Sequence, residues 1–114
     1  MSVYQKVYDK LKTDGLNPYF QGKHKGLCTE RYVVIVDGSS SSADGFFQKS
    51  KLDAYVYVPL NELQQLGSYR ELILKSLKDV GEVKYTGNDG PTIEEESIEA
   101  YSKYVSFLCS NPIY

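Results

Sequence analysis

Val3, Val7 and Leu11 recur every four residues with Tyr4 and Tyr8 beside them, a spacing that draws one apolar stripe along a helix. Ser2 and Gln5 fit a capping box at its start. Asp14-Gly15 ends it, with glycine in the left-handed position after the last turn. Residues 16–29, broken by Pro18, Gly22 and Gly26, read as irregular apart from a short extended piece at Tyr19-Phe20. The period then changes. Arg31-Tyr32-Val33-Val34-Ile35-Val36 is β-branched and apolar on both faces, the mark of a central strand. Gly38 to Gly45 is a flexible polar loop that carries Ser39, Ser40, Ser41, Ser42 and Asp44.

From about Gln48 to Val58 the pattern alternates. Leu52, Ala54, Val56 and Val58 face one way; Lys51, Asp53, Tyr55 and Tyr57 face the other. The first set belongs to a core, and the second presents two tyrosines to solvent or to a partner. Pro59 stops this strand, and Asn61 caps a short helical turn over Glu62 to Leu66. Gly67 breaks the turn, and Ser68-Tyr69-Arg70-Glu71 opens a second helix with another capping box. That helix spans about Tyr69 to Val80, with Leu72, Ile73, Ser76, Leu77 and Val80 on its apolar face. A short strand over Glu82 to Thr86 follows, then strong turn chemistry in Gly87-Asn88-Asp89-Gly90-Pro91. In the last segment Ile98, Tyr101, Val105 and Leu108 fit a helix, whereas an alternating set from Tyr101 to Cys109 fits a strand. The β-formers Tyr104, Val105 and Phe107 favour the strand. The expected fold is α+β: one domain over residues 1–114, in the order α-β-β-α-β-β, with a four-stranded, mostly antiparallel sheet packed by helices.

Composition sharpens this picture. The chain has eleven tyrosines in 114 residues against one histidine, two cysteines and no tryptophan. Tyrosine suits surfaces that bury against a partner yet stay soluble. Histidine and cysteine supply most metal ligands, nucleophiles and neutral-pH bases, so the composition favours assembly over reaction. A net charge of −2 lacks the basic excess of nucleic-acid or anionic-membrane binders. Its distribution is uneven: residues 1–31 hold six basic and three acidic residues, net +3, and residues 82–114 hold two basic and six acidic, net −4. These are either solvated faces or complementary surfaces between copies of the chain. Met1 to Lys6 has no apolar core of signal-peptide length, and no stretch approaches a membrane span. The expectation is a protein kept inside a cell, or in a particle assembled there, with Cys28 and Cys109 reduced.

The candidate chemistry is sparse. His24 lies in a basic loop without a neighbouring carboxylate to orient it, and reads as a solvent-exposed residue. Cys28 and Cys109 lack metal-ligand spacing and read as small buried residues. The serine run has neither a nucleophile elbow nor a phosphate-loop lysine. Glu94, Glu95 and Glu96 cannot all point at one ion from a regular strand or helix, and read as a solvated or interfacial acidic edge. No catalytic, cofactor-binding or metal residue is assigned.

The succession of a helix ending in Asp14-Gly15-Leu16, an extended Asn17-Pro18-Tyr19-Phe20, a loop with Cys28 and a strand Tyr32-Val33-Val34-Ile35 is a recognisable layout. A long polar hairpin tip, a strand ending near Val58, a helix, Val83-Lys84-Tyr85 and a final strand from Tyr101 to Leu108 complete it. This layout resembles the small tail-terminator and tail-completion (tail-to-head joining) proteins of long-tailed bacteriophages, whose parts also occur in phage-tail-like bacteriocin particles. The resemblance is one of pattern across most of the chain and carries no catalytic signature. It implies a non-enzymatic homo-oligomer, typically a hexameric ring, that caps the tail tube and meets sheath, neck, head or collar proteins. It also implies a place in a virion or tail-like particle, with assembly in the bacterial cytoplasm. The interface residues expected are Tyr55 and Tyr57, the tip residues Ser39, Ser40, Ser41, Ser42 and Asp44, and the acidic Glu94, Glu95 and Glu96. The alternative is a small intracellular module that recognises a partner by sheet-edge or aromatic-face contacts.

Overall fold

The computed structural model describes residues 3–24, 26–41, 49–81 and 83–109, without the side chains of residues 37–41, 49, 50 and 88. Helix α1 spans Val3–Thr13 and buries Val3, Val7 and Leu11, the stripe expected from their spacing. It ends in a Schellman motif. Gly15 at φ 74° gives its N–H to the Lys12 carbonyl at 3.1 Å, and Leu16 gives its N–H to Leu11 at 2.9 Å. Ser2, the expected cap, lies outside the described residues.

Among the described residues the sheet has six strands rather than four, in an α+β fold: β1 (Pro18–Phe20), β2 (Tyr32–Ser41), β3 (Lys49–Pro59), β4 (Val83–Asp89), β5 (Ile93–Glu95) and β6 (Ala100–Cys109). Their order is β1-β2-β3-β6-β4, and β5 pairs with β6 on the edge that β4 also uses. Among the described strands only β1 and β2 run parallel. The two extra strands are three residues each, too short to carry a period. The ambiguous C-terminal segment is a strand. It pairs with β3 from Pro59↔Ala100 to Ser50↔Cys109 and so lies inside the sheet.

Other boundaries moved for local reasons. β2 runs on through Ser39, Ser40 and Ser41, which pair with β3 after an irregularity between Asp37 and Ser39. A ladder imposed by the long partner strand overrides a loop-like composition there. Ser42 and Asp44 lie outside the described residues. β4 likewise continues through the expected turn to Asp89, which pairs with Val105 after a register shift. Gly87, at φ 85°, supplies the left-handed step that such a bulge needs.

A 3-10 turn at Leu60–Gln65 leads directly into helix α2, Leu66–Leu77. Gly67 therefore lies within the helix and does not break it. Ser68 is not a cap; its hydroxyl donates to the Gln65 carbonyl at 3.1 Å. The preceding turn already engages the first amide, since Leu66 N–H bonds to Leu63 O. The buried face of α2 is Leu66, Tyr69, Ile73, Ser76 and Leu77. Leu72 is 42% exposed, because the stripe runs through Tyr69 and Ile73.

Both helices pack on one face of the sheet. Val33 and Ile35 of β2, Leu52 to Val58 at alternate positions of β3, and Val105 and Phe107 of β6 meet the buried stripes of α1 and α2 in a single cluster. Tyr8 of α1 stacks on Phe20 of β1 at 4.6 Å. Tyr69 crosses the core, and its hydroxyl donates to the Leu16 carbonyl. Asp14 takes a 2.6 Å hydrogen bond from Ser76 and a 3.0 Å ion pair from Lys10, joining the end of α1 to α2. On the β4 side Arg70 binds the Asp89 carboxylate at 2.6 Å and the Tyr85 hydroxyl at 2.9 Å. Gly90 ends β4 with its N–H on the Tyr104 carbonyl at 2.7 Å. A Cβ there would fall 2.1 Å from two ring carbons of Tyr104. Gly90→Ala is expected to displace that ring and cost about 1–3 kcal/mol by overpacking. Chemical denaturation checks this, and an unchanged midpoint would show that the ring moves freely.

Candidate interaction face

Among the described residues neither α1 nor α2 lies on the sheet's second face. Alternation along β2 and β3 sends Tyr32, Val34 and Val36 and then Lys51, Asp53, Tyr55 and Tyr57 to that side, opposite the core residues. Register does the rest. Tyr32 lies directly across from Tyr57, and Tyr55 from Tyr104. Their rings meet as cross-strand pairs, 4.7 Å apart and near-parallel for Tyr32–Tyr57, 5.5 Å apart and tilted for Tyr55–Tyr104.

His24 completes the array. Its ring stacks on Tyr32 at 3.7 Å with an interplanar angle of 9°, and Tyr19 of β1 sets an edge against both. The histidine expected in solvent is half-buried in a stack His24–Tyr32–Tyr57. Its loop is drawn onto the sheet by Cys28, whose N–H bonds to the Ile98 carbonyl at 2.8 Å. Cys28, Tyr32 and Ala100 form a second small core there, with Ile98, Val34, Tyr19 and Tyr57 packed around it. Both cysteines are buried, and neither forms a disulfide among the described residues.

Beside this stack lies a concavity of about 400 Å³ lined by His24, Tyr32, Val34, Val36, Tyr55 and Tyr57, among others. Tyr57 is thus held within the stack, while Tyr55 lies toward the open part of the face. The acidic run diverges. β5 register puts Glu95 on the aromatic side, where it accepts from Ser102 at 3.3 Å, and Glu94 on the helix side near Tyr101. Glu96 begins a 3-10 turn, Glu96–Ile98, and is exposed. Among the described residues no three His, Cys, Asp or Glu side chains are placed to hold a metal ion, and no helix is long and apolar enough to cross a membrane. Ser39, Ser40 and Ser41 extend β2 at the far end of the face.

No known family model and no curated protein matches the chain.

Burial governs the titration of this face. It pushes the Tyr32 hydroxyl up, with smaller contributions from Cys28, Tyr57, Glu95 and Tyr19. Burial also raises Tyr57, seconded by Glu95, and Tyr55, seconded by Asp53. The Cys28 thiol moves from an ordinary 9.0 to about 11, through burial first and then Glu62 and Glu30. Each of these groups holds its proton more tightly when folded than when unfolded. Above about pH 9 the unfolded chain therefore binds fewer protons, and stability falls as pH rises. Below that it is insensitive to these groups. The expected result is a tyrosinate absorbance titration whose last part, from the stacked phenols, appears only as circular dichroism reports unfolding. A single step with the fold intact would contradict the packing described here.

The sequence pattern identified Tyr55 and Tyr57 as outward-facing. Tyr19, His24 and Tyr104 joined them only through register and loop closure, and no local pattern announces either.

Proposed function

We propose that this chain is a non-enzymatic structural subunit of a phage tail or phage-tail-like particle. In this reading it forms a ring, taken as hexameric, that caps the tail tube and joins it to neck, head or collar. The observation that carries the proposal is the sheet order. β1, in the net-positive N-terminal third, forms one edge; β5, with Glu94 and Glu95 in the net-negative C-terminal third, lies on the other. Edges of opposite sign are not self-complementary, so they favour head-to-tail contacts, which close into rings. The aromatic face, which neither α1 nor α2 covers, offers anchors of the type that dominate binding energy. The helix–strand layout described above is the second support.

Native mass spectrometry with negative-stain electron microscopy tests the proposal. The expected result is a closed ring that weakens as salt is raised, since the opposed charges are exposed. A chain that is strictly monomeric at low salt and leaves purified tail tubes unbound would overturn it.

A further inference from the structure

The edge strand β4 borders an apolar groove that the aromatic face does not reach. Leu77 at the end of α2, Val80 in the turn after it, Val83 and Tyr85 of β4, and Phe107 of β6 line a concavity of about 450 Å³ on the helix side of the sheet. Leu74 joins them, and among the described residues the charged ones at this groove are Lys78 and Lys84, both exposed. Tyr85 is itself 41% exposed, large for an aromatic ring on a packed strand.

Beside the groove the sheet ends. Among the described residues no strand pairs with the outer side of β4. The Val83 N–H already turns away from β6, to the Val80 carbonyl at 3.1 Å. Alternation along an antiparallel ladder then turns the N–H and C=O of Tyr85 the same way. The opposite edge is blunted: β1 is three residues long, begins with Pro18, and its Phe20 carbonyl accepts from Lys23. The two edges therefore differ in their capacity to take another strand.

We propose that β4 receives an extended segment of a partner protein as an added strand, with alternate apolar side chains entering the Leu77–Val83–Phe107 groove and acidic residues meeting Lys78 and Lys84. Main-chain pairing with Tyr85 supplies the register, and the groove selects every second side chain. The lysines set the sign of the flanks. The site is independent of the ring reading: β4 and β5 occupy different stretches of the shared edge, β4 against Val105–Cys109 and β5 against Ala100–Ser102.

The test uses the full chain and a capped synthetic peptide of alternating valine and threonine with glutamates at both ends. Its controls are the same peptide with lysine flanks and one N-methylated along the edge that would pair. Fluorescence anisotropy reads affinity, and amide chemical shifts locate the site. The glutamate peptide is expected to bind and to shift Val83–Tyr85 and Leu77. The lysine peptide should bind at least about ten-fold more weakly, and the N-methylated peptide should not bind. In the double variant Lys78→Glu, Lys84→Glu, both at exposed positions, the flank preference should reverse. Absence of binding, equal binding by all three peptides, or shifts confined to another surface would overturn the proposal. So would concentration-dependent broadening of the same amides without peptide, which would make a second copy of this chain the occupant.

Discussion

Replacing Tyr69 with alanine is expected to cost about 3–5 kcal/mol, the range for deleting a buried aromatic ring. Tyr69 is fully buried, belongs to the main core, and is the largest side chain among those most completely buried. Three functions meet in it. Its ring fills the space between α2 and the sheet, its hydroxyl donates to the Leu16 carbonyl, and the Arg31 guanidinium lies 4.7 Å above the ring. The Leu16 carbonyl belongs to the residue that closes the Schellman motif, so one side chain holds the end of α1 against α2. Tyr69→Phe separates these roles. It keeps the ring and leaves the Leu16 carbonyl unpaired, for a loss of about 1–3 kcal/mol. Urea titration checks both variants, with the slope unchanged and only the midpoint moved. A loss below about 1 kcal/mol for Tyr69→Ala would mean that α2 seats without this ring.

The second large effect concerns assembly. In the proposed ring, Tyr55→Ala is expected to leave the monomer folded and to weaken self-association by about 2 kcal/mol per interface, roughly thirty-fold. Tyr57→Ala should instead destabilise the monomer, because its ring stacks on Tyr32 and packs against the second core. The two tyrosines are neighbours on one strand face, yet their partners differ. Tyr57 is enclosed by the loop that carries His24 and Cys28, whereas Tyr55 touches Tyr104 beside the open concavity. Sedimentation velocity on both variants, with thermal unfolding of each, distinguishes the outcomes. An intact oligomer in Tyr55→Ala would remove the aromatic face from the proposed interface. Loss of the oligomer in Tyr57→Ala without loss of stability would exchange the two roles.

Elements whose periodicity reports burial were legible in the chain. The Val3–Val7–Leu11 stripe and the Leu52–Val58 alternation appear as expected, and so does the strand from Tyr32. Elements set by a partner strand were not. Ser39 to Ser41 are polar, yet the ladder with Lys49 to Lys51 draws them into β2. β5 has no alternation to read, and its strand conformation comes from pairing with Ala100 to Ser102. Helix α2 was displaced by three residues because a 3-10 turn fed it its first hydrogen bonds, a continuity that Gly67 and Ser68 conceal. The same division holds for the candidate face. The outward direction of Tyr55 and Tyr57 follows from period two. The partnership of His24 with Tyr32 depends on where a glycine-rich loop closes, and that is decided by the distant Cys28–Ile98 bond.

The position of β6 has a consequence for synthesis. The strand between β3 and β4 is made after both of its neighbours, and β3 is paired with it along ten residue pairs. On the ribosome the β2–β3 hairpin and both helices emerge while one long side of β3 still lacks its neighbour. The nascent chain therefore exposes a template for wrong pairing until Ala100 to Cys109 arrive, and its core closes only through contacts distant in sequence. A chain halted before Ala100 would retain most of its helix and lose the middle of its sheet, leaving a strand edge on which copies aggregate.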